Sequence, residues 1–176
     1  MKKLKFYLAG PIQFTDDFMN WREDIRDFLE ELGHEALLPW GEIFHGKKGK
    51  AVFNEWTEEM SSVEYLRRVS KYMRTYVMKW DLKAVIKSDG VICYLPKGVP
   101  TSGSHGELTL IYYLLHHKKR KKNRSPRIFV VTDEKLEDLF YWVIGCSDRV
   151  FFDWKSFKKY FKEHFSNKQR KVKNNG

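Results

Sequence analysis

Glu107 closes a run of small and polar residues, Thr101-Ser102-Gly103-Ser104-His105-Gly106, and leads into an apolar stretch that reads as a helix. The run follows Val91-Ile92-Cys93-Tyr94-Leu95, an apolar block with the composition of a buried strand. A carboxylate placed just beyond the C-terminal end of a parallel strand sits where open α/β sheets bind their ligands. Asp81 lies 26 residues before Glu107, and Asp89 precedes the strand directly. Two carboxyl groups in one partly dry pocket push their pKa values apart, so that one can hold a proton while the other stays charged. Each residue also has a plainer reading. Ser104-x-x-Glu107 fits a capping box that merely closes a helix start. Asp81 pairs as easily with Lys79 or Lys83 on an exposed helix, and Asp89 before Gly90 suits a turn.

Elements that would position these groups follow from periodicity. Lys5 to Ala9 is a buried first strand stopped by Gly10-Pro11. Thr15 or Asp16 can cap the next helix, whose apolar residues Phe18, Trp21, Ile25, Phe28, Leu29 and Leu32 recur at helical spacing up to a stop at Gly33. A short strand covers 35–38. An irregular segment follows from Gly41, and 41–65 is longer than a compact fold needs, which marks a lid or binding element. Two helical stretches then run to Ser88, with Val69, Tyr72, Met73, Tyr76, Val77 and Trp80 along one face. Further strands are expected at 91–95, 127–132 and 149–153, and helices at 106–117, 137–144 and 156–165. Strands and helices that alternate in this way, with the strands apolar on both faces, predict a parallel five-stranded sheet covered by helices on both sides. Residues 1–165 form one expected domain, and 166–176 a basic, disordered tail.

The bulk composition narrows the possibilities. With 42% hydrophobic residues the chain is globular rather than disordered. A net charge of +10, concentrated in His116 to Arg124 and in the tail, points to solvated loops or to anion attraction. Cys93 and Cys146 read as buried thiols rather than a disulfide, and the absence of CxxC and HExxH spacing argues against zinc. The short apolar N-terminus, cut by Gly10-Pro11, is too brief for a signal peptide or a membrane span, so a cytoplasmic location is expected.

An opening YLAGP, a helix of the D-x7-D-G-V-I kind before the third strand, then a Gly/Ser turn and Glu107: this ordered set resembles the nucleoside 2-deoxyribosyltransferase superfamily, which includes 2′-deoxynucleoside 5′-monophosphate N-glycosidases. The resemblance covers roughly residues 4–155. It implies a flavodoxin-like fold, with Glu107 as the nucleophile that displaces the nucleobase and forms a covalent glycosyl-enzyme. By position, Asp81 matches the aspartate near the leaving base, and Tyr7 the strand tyrosine that orients the glutamate; Tyr7 is otherwise an ordinary core aromatic. The residue types suit the chemistry: a carboxylate stabilises or traps oxocarbenium charge, and the leaving base must be protonated. No cofactor is needed. Gly10, Thr101, Ser102, Gly103, Ser104 and Asp89 are the candidate substrate-lining residues.

Thr101, six residues before Glu107, stands where many transferases carry a sugar-binding aspartate and where the N-glycosidases carry a serine. A hydroxyl- and glycine-rich turn at a helix N-terminus can cradle phosphate, which favours a nucleotide substrate, although glycine there also serves backbone geometry. Pro11-Ile12-Gln13-Phe14 lacks the Ser/Arg pair that the N-glycosidases use for phosphate. Lys47, Lys48, Lys50, Arg67 and Arg68 supply alternative phosphate contacts or solvated charge. His105 is either a proton relay or polar surface. Trp40 and Phe14 are placed to stack on a base, whereas Trp21, Trp80 and Trp142 fit core faces. The resemblance also implies a homodimer or larger homo-oligomer, whose neighbouring subunit completes the site near Thr132-Asp133. The competing reading is a nucleotide-sensing or nucleic-acid-associated binding module that kept the fold without turnover, held to its partner by basic segments.

Overall fold

The computed structural model describes residues 3–12, 19–39, 61–118 and 127–166. Five parallel strands form one sheet in the order β2-β1-β3-β4-β5: β1 (Lys5–Ala9), β2 (Glu35–Leu37), β3 (Gly90–Leu95), β4 (Ile128–Thr132) and β5 (Arg149–Phe151). This is the flavodoxin-like strand order, with its switch point between β1 and β3. Those two strands pair from Phe6↔Gly90 to Ala9↔Cys93, and β3 pairs with β4 from Val91↔Ile128 to Leu95↔Thr132.

Side-chain alternation divides the core into two layers. Tyr7, Ala9, Val91, Cys93, Leu95, Ile128 and Val130 face one side, where Val85, Leu108, Ile111 and Val143 pack against them. Phe6, Leu8, Ile92, Phe129 and Val131 face the other, against Ile25, Phe28, Leu29, Phe157, Phe161 and Phe165. The helices supplying the second layer are α1 (Asn20–Glu31) and α6 (Trp154–Phe165). Helix α1 ends in a Schellman motif: His34 N–H donates to Leu29 O and Gly33 N–H to Glu30 O, both at 2.9 Å. Gly33 takes φ 82°, which is why a glycine stops the helix there. Asp153 caps α6, its Oδ1 accepting from Ser156 N–H at 2.6 Å.

Several boundaries differ from the sequence-based expectations. The run before β3 is one continuous helical path, α2 (Ser62–Tyr72) and α3 (Met78–Lys87) joined by a π-helical turn at Met73–Val77. The helix after β3, α4, begins at Ser102 and runs to Tyr113, four residues earlier than glycine-breaking rules suggest. Gly103 and Gly106 lie inside it, and neither is among the described glycines with positive φ. The expected helix at 137–144 resolves into a 3-10 turn (Leu136–Asp138) and a short α5 (Tyr141–Cys146). Trp80 and Trp142 are exposed rather than core residues; Trp21 is the one of the three that packs against the core. Thr15, Asp16, Phe14, Phe18, Trp40, the lysines of 47–50 and the basic tail lie outside the described residues.

Candidate active site

Tyr7 projects from the middle of β1 into the layer beneath α3 and α4, with none of its surface exposed. Its hydroxyl donates a 2.6 Å hydrogen bond to Oε1 of Glu107, in the second turn of α4. Asp81, in the first turn of α3, is also buried and acts electrostatically on both. Three residues far apart in sequence thus meet beside the β1–β3 switch point, where the strand order reverses and an open sheet leaves a crevice.

Charge balance follows from burial. Loss of solvent pushes the Glu107 carboxyl up to about 8, with the neighbouring Asp81 adding to the rise; the Tyr7 hydrogen bond and the Arg22 charge oppose it. Burial first, then Glu107 and Asp81, push Tyr7 well above its ordinary value, so the phenol remains a donor. Burial also raises the Cys93 thiol, which faces Glu107 from β3 and stays protonated.

Arg22 is the group that the motif analysis passed over. It lies on α1 with no exposed surface. Nε contacts Leu8 O at 3.4 Å, Nη2 Gly10 O at 2.7 Å and Nη1 Pro11 O at 3.3 Å. Its position gives the signal that could have found it: 22, 25 and 29 share the buried stripe of α1, and a cation on an apolar stripe needs a reason.

The other sequence-selected residues separate into two groups. Thr101 precedes α4 without a side-chain cap bond, and Ser102, Gly103 and Ser104 form its first turn, whose leading N–H groups point away from the helix. Ser104 is buried, whereas Ser102 and Gly103 are exposed. Among the described residues nothing beyond the neighbouring backbone of the helix itself lies within 4 Å of where a Cβ would stand at Gly103 or Gly106. Gly10 is constrained differently: a Cβ there would meet the Trp21 ring at 2.6 Å. Glu107 is the sixth residue of α4, which removes the capping-box explanation for it. Burial of Asp81 likewise removes its reading as an exposed helix residue.

Asp89 is not brought to the site. It lies at the opposite, N-terminal end of the sheet, where Lys5 N–H donates to its Oδ2 at 3.1 Å and its own N–H donates to Lys5 O at 2.7 Å. Arg127 Nη1 sits 3.5 Å from its Oδ1. Its role there is the expected turn. His105 does not serve as a relay either: residues two apart on a helix do not face each other, and its ring packs edge-on against Phe140 at 5.8 Å. Among the described residues no cluster of three or more metal-ligating side chains occurs, and no helix is long and apolar enough to cross a membrane.

Fold and site together define an open α/β protein of the flavodoxin-like kind, with a phenol–carboxylate pair and a second carboxylate at its switch point. Among solved structures the chain is similar to a 2-deoxyribosyltransferase from the psychrotolerant bacterium Bacillus psychrosaccharolyticus, described as a biocatalyst for nucleoside synthesis. The two share 20% identity at a TM-score of 0.59, over 92% of this chain and 96% of that one, a likeness of fold. No protein-family model matches the chain, and no curated protein matches it.

Proposed function

We propose that this protein cleaves the N-glycosidic bond of a nucleoside or nucleotide through a covalent glycosyl-Glu107 intermediate, passing the sugar to a second base or to water. The observation that carries this reading is the 2.6 Å Tyr7–Glu107 hydrogen bond with buried Asp81 beside it. A glutamate oxygen free to attack, a phenol holding its partner oxygen, and a second carboxyl group form the minimum set for a double displacement at a sugar carbon. The fold shared with a 2-deoxyribosyltransferase supports the same reading.

In the first step a Glu107 oxygen bonds to C1′ as the C1′–N bond breaks. The bonding pair goes to the base nitrogen, and Asp81 supplies its proton. In the second step the acceptor attacks C1′, the C1′–Glu107 bond breaks with its pair returning to the carboxylate, and Asp81 takes the acceptor's proton. Two displacements give retention. Near neutral pH the raised Glu107 pKa means that the carboxyl pair retains a proton. Catalysis requires that proton on Asp81, with Glu107 ionised by its tyrosine donor.

Thr101, Ser102, Gly103 and Ser104 are the proposed sugar or phosphate edge of the site, and Gly10 its floor. The leading N–H groups at the start of α4 favour an anionic substituent, which supports a 5′-monophosphate. The open space at Gly103 and Gly106 lets a substrate approach the helix backbone.

The decisive assay is mass-spectrometric detection of free base from a panel of nucleosides and their 5′-monophosphates, with and without a second base, on wild type and Glu107→Ala. Release that vanishes in the variant supports the reading, and dependence on the second base separates transfer from hydrolysis. Silence across the panel from folded protein that binds a nucleotide would instead favour the binding module.

A further inference from the structure

Arg22 is the bulkiest fully buried side chain of the described residues, and it is a cation. A guanidinium withdrawn from water is costly unless its donors are met. Its fork meets the carbonyls of Leu8, Gly10 and Pro11, the last residues of β1 and the turn that leaves it. The same guanidinium lies 4.5 Å from the centre of the Trp21 ring, and that ring occupies the space a Cβ at Gly10 would need. Gly10, Trp21 and Arg22 therefore fix one turn jointly, immediately after the strand that carries Tyr7.

Four ionisable groups interact with the Glu107 carboxyl, each from a different element: Tyr7 from β1 by a hydrogen bond, and Asp81 from α3, Cys93 from β3 and Arg22 from α1 electrostatically. Arg22 is the cation of that set. We propose that Arg22 is a positioning residue for the glycosidic site: it locks the turn after β1 through three carbonyls and supplies the fixed positive charge against which the Glu107–Asp81 pair is balanced. The proposal rests on the reading of that site as glycosidic. Burial lowers Arg22 only to about 10, so the charge persists at any working pH. A lysine would keep the charge without the planar fork, and a glutamine would keep neither.

Arg22→Lys and Arg22→Gln, made in the full chain, separate the two duties. Two readouts need no substrate: the 13C-carboxyl NMR titration of Glu107, assigned by its loss in Glu107→Gln, and amide exchange at Gly10 and Ile12. In Arg22→Gln the Glu107 midpoint should rise by about one pH unit, a tenfold change in its ionisation constant. In Arg22→Lys the midpoint should stay near wild type, while amide exchange in the turn quickens about tenfold and KM for the nucleoside or nucleotide rises more than kcat falls. If the glutamine variant does not fold, the lysine variant decides through turn exchange and KM. Midpoint, exchange and KM all unchanged in every folded variant, with only the melting temperature lowered, would overturn the proposal. A wild type without glycosidic activity would instead remove the functional reading, and the titration and exchange would still report whether Arg22 positions the cluster.

Discussion

At the scale of single residues the site is a contest between burial and three neighbours. Glu107 stands at about 8 because loss of solvent and Asp81 outweigh Tyr7 and Arg22. The working pair carries one proton, on Asp81 with Glu107 ionised, so kcat/KM for base release should fall as pH rises through about 8 and that proton is lost. Removing the Tyr7 donor deprives the carboxylate of a stabilising bond, so Tyr7→Phe should move that fall to higher pH. Asp81→Asn removes a neighbouring negative charge and should lower the Glu107 midpoint, while slowing turnover about 10²- to 10⁴-fold through loss of the proton donor. Opposite displacements of the Glu107 midpoint in the two variants, read by 13C-carboxyl NMR, check the assignment; displacements of one sign would refute it.

At the scale of elements, α4 brings chemistry to the sheet by starting early. Its two glycines lie in a helix, where each costs about 0.5–1 kcal/mol relative to alanine, and among the described residues no side chain stands where a Cβ would be added at either. Gly103→Ala should therefore raise the melting temperature by a few degrees; a simultaneous rise in KM would show that the space belongs to substrate. Gly10→Ala should do the reverse. Its Cβ cannot coexist with Trp21 where it stands, so the turn after β1 must shift, and both stability and kcat/KM should drop. Calorimetry and steady-state kinetics on the pair distinguish a glycine kept for access from one kept for packing. On the far layer, His34 ties the start of β1 to the end of α6: Leu4 N–H donates to Nδ1 at 3.3 Å, and Nε2 lies 2.8 Å from Phe165 O. That bond anchors α6 behind the strand carrying Tyr7.

Across the whole molecule, the site is maintained against stability. A carboxyl group whose folded pKa is raised keeps its proton in the native state over a range where the unfolded chain has lost it. Stability therefore falls as pH rises from the ordinary carboxylate range to about 8, and is level beyond. Glu107→Gln removes that loss. Its melting temperature should exceed that of wild type by a margin that grows across this window, and a margin independent of pH would contradict the burial account. The exposed aromatics Phe140, Tyr141 and Trp142, beside the site helix, form a surface suited to the homo-oligomer that the family resemblance implies. Sedimentation of wild type against Tyr141→Asp tests this, with a loss of mass expected in the variant.

Sequence patterning by itself determined the alternation of strands and helices, the parallel sheet and the stop at Gly33, while Tyr7, Asp81 and Glu107 were singled out together only through the family resemblance. Those features depend on local spacing and on motif order, and both can be read along a chain. It erred where breaking rules met tertiary packing: Gly103 and Gly106 are helical because α4 is held against the sheet, and Trp80 and Trp142 face outward although their spacing fits an apolar stripe. Asp89 shares a motif with Asp81 yet sits at the other end of the sheet, because helix α3 carries the chain back along the sheet between the two residues. Arg22 was invisible as chemistry, since an arginine on a helix is ordinarily solvated. Only the tertiary structure buries its charge under the turn after β1, within electrostatic reach of Glu107, because desolvation and charge coupling are properties of neighbours in space.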